Sequence, residues 1–158
     1  MSKDGTWLTP DAYRKLEEEL AHLTNEGRSH IEERIAEARS HGDIRENADY
    51  EAAKDEQALL EARIRQVAHL LETAEVREVE DTDRVVVGSL VTVIDGEGNE
   101  VEYFVAPTEN RVPGYLLASP AGPLGKALLG TAPGDEVTYH APGGAFTVKV
   151  VTVRPYRG

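Results

Sequence analysis

Two carboxylates stand out for where they sit. In the stretch Arg39-Ser40-His41-Gly42-Asp43-Ile44-Arg45-Glu46-Asn47-Ala48-Asp49-Tyr50, Asp43 and Glu46 lie three residues apart, beside a glycine that interrupts two long helical patterns. On a helical turn, residues at that spacing share a face, with about 5–6 Å between Cβ atoms. Two carboxylates with no paired His or Cys make a hard oxygen donor set suited to Mg²⁺. Mg²⁺ keeps most of its waters and is seldom caged by one protein alone, so the pair is half a site that something else completes. The same spacing fits a capping box, with Asp43 as the cap and Glu46 reaching back. Asn47 is an alternative N-cap, with Asp49 as a first-turn acid. On spacing alone the capping reading comes first. The two readings are compatible if Asn47 caps and the carboxylates stay free.

The neighbouring residues divide in the same way. Arg39 and Arg45 could contact phosphates, and Lys54 could extend a small basic strip, although a single helix cation is more often solvated. Tyr50 could stack on a base, but its helical phase puts it in a packed seam first. His41 could carry a proton, and a histidine at a helix end also complements the dipole. His22, His30, His69 and His140 show no metal-ligand spacing. Trp7 is expected to pack beside the base of the helical element.

The elements that must position the carboxylates are helices. Thr9-Pro10-Asp11 is a start signal: a capping hydroxyl, a proline suited to the first turn and an acid for the dipole. Apolar or small residues then recur at Tyr13, Leu16, Leu20, Leu23, Gly27, Ile31, Ile35 and Ala38. One step of four replaces a three, as in a coiled-coil stutter. Gly42 is a stop. A second helix restarts by Asn47 and runs to about Ala74, with inward positions Tyr50, Ala53, Gln57, Leu60, Ile64, Val67, Leu71 and Ala74 in strict heptad rhythm. Neither stripe can be buried alone, and a short turn forces antiparallel pairing into a hairpin.

Residues 75–83, EVREVEDTD, are polar and read as a linker. Beyond them Val85–Val87, Leu90–Val93, Val101–Val105, Glu136–Tyr139 and Phe146–Val151 are β-branched or aromatic runs. Asp95-Gly96-Glu97-Gly98-Asn99, Pro113-Gly114, Pro133-Gly134-Asp135 and Pro142-Gly143-Gly144 separate them as turns. A short helix is expected at Pro123–Leu129. The fold class is α+β: a coiled-coil hairpin at 1–74, the linker at 75–83, and a small antiparallel sheet domain with one short helix at 84–158.

Composition excludes several classes. The chain of 158 residues has no cysteine, which excludes disulfides and thiolate metal sites. No stretch approaches the roughly 20 apolar residues of a membrane span, and the N-terminus has no signal-peptide core. A cytoplasmic, membrane-free location is the expectation. Net charge is −12, of which residues 1–83 carry −11 and residues 84–158 carry −1. Tight non-specific binding to duplex DNA does not fit such a chain. No Ser-His-Asp, Cys-His, Walker or Rossmann pattern is present.

The tip string HGDIRENADYEAAKDEQ is very similar to the signature of the Gre family of bacterial transcript-cleavage factors. LTPDAYRKLEEEL resembles the opening of that family's first helix, and GPLGKALLG followed by PGDEV resembles its late segment. The sequence departs from the pattern at Gly122, where a Ser is expected before Pro-Leu-Gly. The resemblance covers nearly the whole chain and reverses the order of the two readings of the tip. It implies that the hairpin enters the secondary channel of RNA polymerase and reaches the 3′ end of the nascent RNA. There Asp43 and Glu46 would hold a second catalytic Mg²⁺ jointly with the polymerase, for two-metal cleavage of backtracked RNA. It implies an FKBP-like second domain that docks at the channel rim, with Pro123 and Leu124 as docking candidates, and a monomer. The polymerase would remain the enzyme. Two alternatives stand beside this reading: a non-catalytic secondary-channel binder that inhibits or regulates the polymerase, and a coiled-coil adaptor with a prolyl isomerase domain.

Half a site should bind its ion weakly. Isothermal calorimetry on the free protein is expected to show no Mg²⁺ binding at micromolar affinity, because most of the octahedron is left to water. Micromolar binding by the isolated chain would contradict a shared site.

Overall fold

The computed structural model describes residues 5–40 and 44–157, and only the backbone at 44–46. The chain divides into two compact units. One is Arg14–Thr73; the other joins Gly5–Tyr13 to everything from Ala74 onward. Among the described residues, no helix is long and apolar enough to cross a membrane.

The first unit is the helical hairpin. Helix α1 spans Pro10–His22, a π-helical turn spans Leu23–Gly27, and α2 spans Arg28–Arg39. The returning helix α3 spans Ile44–Thr73. Every residue assigned to the two stripes from Leu16 to Ala38 and from Tyr50 to Leu71 is buried or half-buried, with Leu16, Ile31, Ala38, Ala53, Ile64 and Val67 the most enclosed. The π-turn sits where the heptad slips. Three successive steps of four place one extra residue in the seam, and a π-turn absorbs one residue without rotating the stripe beyond it. Within that turn the Thr24 hydroxyl donates to the carbonyls of Leu20 and Ala21. A Cβ at Gly27 would lie 3.2 Å from Leu60 Cδ1, so glycine lets the helices approach closely there.

Helix α3 begins earlier than expected. Its first turn includes Asn47, so Asn47 is not the N-cap and cannot free the carboxylates by capping in their place.

The second unit is built on a five-stranded sheet. Its strands are β3 (Ser89–Ile94), β4 (Glu100–Val105), β5 (Leu116–Ala118), β6 (Glu136–Ala141) and β7 (Gly144–Pro155), in the order β5-β4-β3-β7-β6. The β3–β4, β3–β7 and β6–β7 pairs are antiparallel as expected, while β4–β5 is parallel, so the sheet is mixed. The three-residue β5 was not among the expected strands. Val85–Val87, expected as a strand, is not one. Val85 instead exchanges backbone hydrogen bonds with Thr131 and Gly130. Helix α4 (Pro123–Leu128) forms as expected.

Both faces of the sheet are covered. Val91, Val93, Val105, Val148 and Val150 pack with Leu128 of α4 on one face. Leu90 and Phe104 pack on the other with Trp7, Val79 and Ala106. That second cover is supplied by β1 (Trp7–Leu8), paired in parallel with β2 (Glu75–Val76). Trp7 therefore belongs to the core of the sheet unit, not to the hairpin base. The polar segment 75–83 carries β2 and the buried Val79, which the absence of an apolar period concealed. Gly88 closes this layer. Its φ is +102°, and a Cβ there would lie 2.5 Å from Val79 Cγ2, so only glycine fits.

Asn110 fastens the N-terminal segment to this layer. The side chain is 1% exposed. Its Oδ1 accepts from the Thr9 N–H at 2.8 Å, and its Nδ2 donates to the Trp7 carbonyl at 2.9 Å. The amide thus replaces a missing strand partner. Thr9 in turn caps α1, its Oγ1 accepting from the Ala12 N–H at 3.0 Å.

Two outcomes follow from this packing. Asn110→Ala leaves a buried donor and a buried acceptor unmet and is expected to destabilise the chain by about 3 kcal/mol, read as a lower urea midpoint. Deleting Asn25 removes the inserted residue and converts the π-turn to regular helix. The thermal midpoint followed at 222 nm should hold or rise. Deleting Glu33 instead takes either Ile31 or Ile35 out of the seam and should lower it, by about 2 kcal/mol of lost burial. Equal midpoints for the two deletions would mean that the stripe phase does not govern the hairpin.

Candidate functional site

The tip of the hairpin is set by two helix ends. Helix α2 ends at Arg39, where the Ser40 N–H bonds the Ala36 and Glu37 carbonyls and its hydroxyl donates to the Glu37 carbonyl at 2.7 Å. Helix α3 starts at Ile44. Position 43 therefore directly precedes the first helical residue, and position 46 is the third residue of the helix. Asp43 lies outside the described residues, and Glu46 and Arg45 are described by backbone alone. The helix start at Ile44 puts the backbone of Glu46 in the first turn of α3.

Arg39 and Lys54 lie on the hairpin surface beside the tip. An open groove of about 460 Å³ runs between α2 and α3, lined by Glu32, Ile35, Ala36, Arg39, Lys54 and Gln57. Arg39 Nη2 donates to the Tyr50 hydroxyl at 3.4 Å, and its guanidinium carbon sits 5.6 Å from the ring centroid. This is a hydrogen bond joined to a cation–π contact. Arg39, through that bond first and its charge second, holds the Tyr50 phenol below its usual pKa. Lys54 Nζ donates to Gln57 Oε1 at 2.9 Å.

The other cations that cross the hairpin meet carboxylates. Arg28 forms two bonds to Glu61, at 2.9 and 3.0 Å. Arg63 does the same with Glu19, at 2.7 and 2.9 Å. Arg34 pairs with Glu56. Hydrogen bonding to Arg28 is the first cause of the lowered Glu61 pKa, and Glu61 raises that of Arg28. As one partner's number rises the other's falls, as antiparallel helices require.

The docking candidates separate. Pro123 is exposed at the start of α4, whereas Leu124 is half-buried and packs against the sheet core. Among the described residues, no cluster of three or more His, Asp or Glu side chains could hold a metal ion.

Residues 6–76 match the family described as transcription elongation factor, N-terminal. Residues 80–155 match the one described as transcription elongation factor, GreA/GreB, C-terminal. The chain belongs to the GreA/GreB family of transcription elongation factors. The transcription elongation factor GreA of Streptomyces coelicolor is 41% identical, over 99% of this chain and 98% of that protein. The GreA of Chloroflexus aurantiacus is also 41% identical, over 98% of this chain and all of its own. The crystal structure of GreA factor homolog 1 (Gfh1) of Thermus thermophilus is 28% identical, with a TM-score of 0.44, covering 95% of this chain and 99% of that one.

Sequence reasoning missed the partners of the two tip cations. A signal was present: Gln57 is a polar residue at an inward heptad position, and such a residue needs a partner. Asn110 carried no comparable signal, since its role depends on a segment about a hundred residues away.

Proposed function

We propose that this GreA/GreB-family chain acts in the cytoplasm, as a monomer, on RNA polymerase halted with backtracked RNA. In this reading the hairpin enters the polymerase's secondary channel and brings Asp43 and Glu46 to the RNA 3′ end. The observation that supports it is the break between α2, which ends at Arg39, and α3, which starts at Ile44: the Asp43–Glu46 spacing in the sequence falls on this break, while the seam is closed by other residues. A capping box uses one oxygen of each carboxylate for a backbone N–H and leaves the other lone pairs available.

Asp43 and Glu46 would hold Mg²⁺ jointly with polymerase ligands. The donor set fits, because both are hard oxygen ligands and neither competes with a soft donor nearby. A second Mg²⁺, when bound, supplies positive charge that favours attack of water on a phosphodiester. The chain's own task is then to carry its carboxylates to a fixed point and hold them there. The paired helices supply the stiffness for that, and Arg39, Arg45 and Lys54 would meet RNA phosphates beside the tip. Pro123, exposed on α4, would contribute to docking the second unit on the polymerase, with Leu124 supporting it from the core. Docking raises the effective concentration of the tip near the channel. The polymerase remains the catalyst.

The test uses stalled polymerase, Mg²⁺ and the full-length chain. Asp43→Ala and Glu46→Ala should each keep the helical signal and bind polymerase, while release of short 3′ RNA fragments falls about a hundred-fold or more. Cleavage by both variants at the wild-type rate would reduce the pair to a helix cap and end this mechanism. A wild-type chain that binds polymerase and releases no fragments would make it a regulator of the channel.

A further inference from the structure

The cations that lean on the hairpin seam are held by two kinds of partner. Away from the tip, Arg63, Arg28 and Arg34 are each held by a carboxylate across the seam. Beside the tip, Arg39 is held by the hydroxyl and ring of Tyr50, and Lys54 by the amide of Gln57. Among the described residues, neither Arg39 nor Lys54 forms an ion pair with a carboxylate. Glu32 is the one carboxylate in the lining of their groove, and it is among the charges that raise the pKa of Arg28.

A carboxylate partner would hold a cation more firmly than a neutral one, and would cancel its charge. A phenol ring or an amide oxygen restricts the side chain and leaves the charge intact. It also leaves donors free: arginine has five N–H groups and lysine three, and each uses one here. Tyr50 and Gln57 both occupy seam positions, where an aliphatic residue would bury more apolar surface. We propose that Tyr50 and Gln57 are positioning residues that hold Arg39 and Lys54 over the groove without neutralising them, keeping both cations available to RNA phosphates. The RNA ligand rests on the polymerase reading above, whereas the tether concerns the chain alone.

The free protein tests the tether. With ¹⁵N-labelled arginine, the Arg39 Nε–Hε resonance should be displaced by the Tyr50 ring and should move to the solvated position in Tyr50→Leu. Tyr50→Phe, which keeps the ring, should retain most of the displacement. A resonance that Tyr50→Leu does not move overturns the tether.

Cleavage by stalled polymerase tests the purpose. Tyr50→Leu should raise the factor concentration for half-maximal cleavage roughly two- to five-fold, the range of an exposed cation–π contact, with the maximal rate unchanged. In an Arg39→Ala background it should add nothing; an equal cost there would mean that Tyr50 acts by itself. Gln57→Glu separates positioning from packing, because it strengthens the tether to Lys54 while cancelling its charge. The half-maximal concentration should rise, and the salt slope should fall by roughly 0.7, one single-strand phosphate contact, at an unchanged melting temperature. Wild-type cleavage with a wild-type salt slope in Gln57→Glu overturns the proposal. If the wild-type chain itself does not cleave, the polymerase reading fails, and the arginine resonance alone decides whether Tyr50 holds Arg39.

Discussion

The seam between the outgoing helices and α3 is the constraint from which the hairpin follows. Each stripe is only two or three residues wide, and burying an Ile or Val is worth about 1.5–3 kcal/mol only while a partner covers it. The phase of both helices must therefore agree from Leu16 to Ala38. One inserted residue would break that agreement, and the π-turn at Leu23–Gly27 restores it. Gly27 opposite Leu60 and the bidentate pair of Arg28 with Glu61 directly follow the turn. The pairs of Arg63 with Glu19 and Arg34 with Glu56 extend the same register on either side. Exposed ion pairs add little to stability, but their geometry excludes a shifted alignment in which like charges would meet.

The sheet unit solves a different problem. A sheet with both faces buried needs two covers, and α4 supplies only one. The other is assembled from two segments at opposite ends of the hairpin sequence, β1 and β2, with Trp7 and Val79 as its apolar content. A two-residue parallel pair has too few ladder bonds to stand alone. Asn110 adds the missing donor and acceptor, and Gly88 admits Val79 and Trp7 against the backbone. The start of α1 is capped by Thr9, the residue whose N–H Asn110 holds. Helix initiation and sheet cover therefore share one buried contact.

What could be read from the sequence was periodic or local. The heptad positions, the helix start at Thr9-Pro10, the four long strands β3, β4, β6 and β7, and α4 each declare themselves within a window of a few residues. The stutter was visible as a count, although its form as a π-turn was not. What escaped depends on distant partners. Val79 and Trp7 look like isolated apolar residues in polar surroundings until the fold brings them together. β5 is three residues long and pairs in parallel, so alternation cannot reveal it. The start of α3 escaped for a local reason: Asn47 is a strong capping residue, yet the helix already includes Ile44. At the tip, the reading of Asp43 and Glu46 comes from residue type and resemblance and lies outside the described side chains, while the tethers on Arg39 and Lys54 required coordinates.

Charge makes those tethers consequential. A chain segment with a net charge of −11 repels a phosphate backbone at long range. For the RNA contact proposed above, approach would then depend on contacts made within about a Debye length, roughly 8–10 Å. Cations paired with glutamates contribute little field at that range, since each pair is close to neutral. Arg39 and Lys54 are different because their partners carry no charge. Both could take glutamate partners with little change in stability, as the seam does three times elsewhere. Neutral partners at these two positions instead preserve their positive charge.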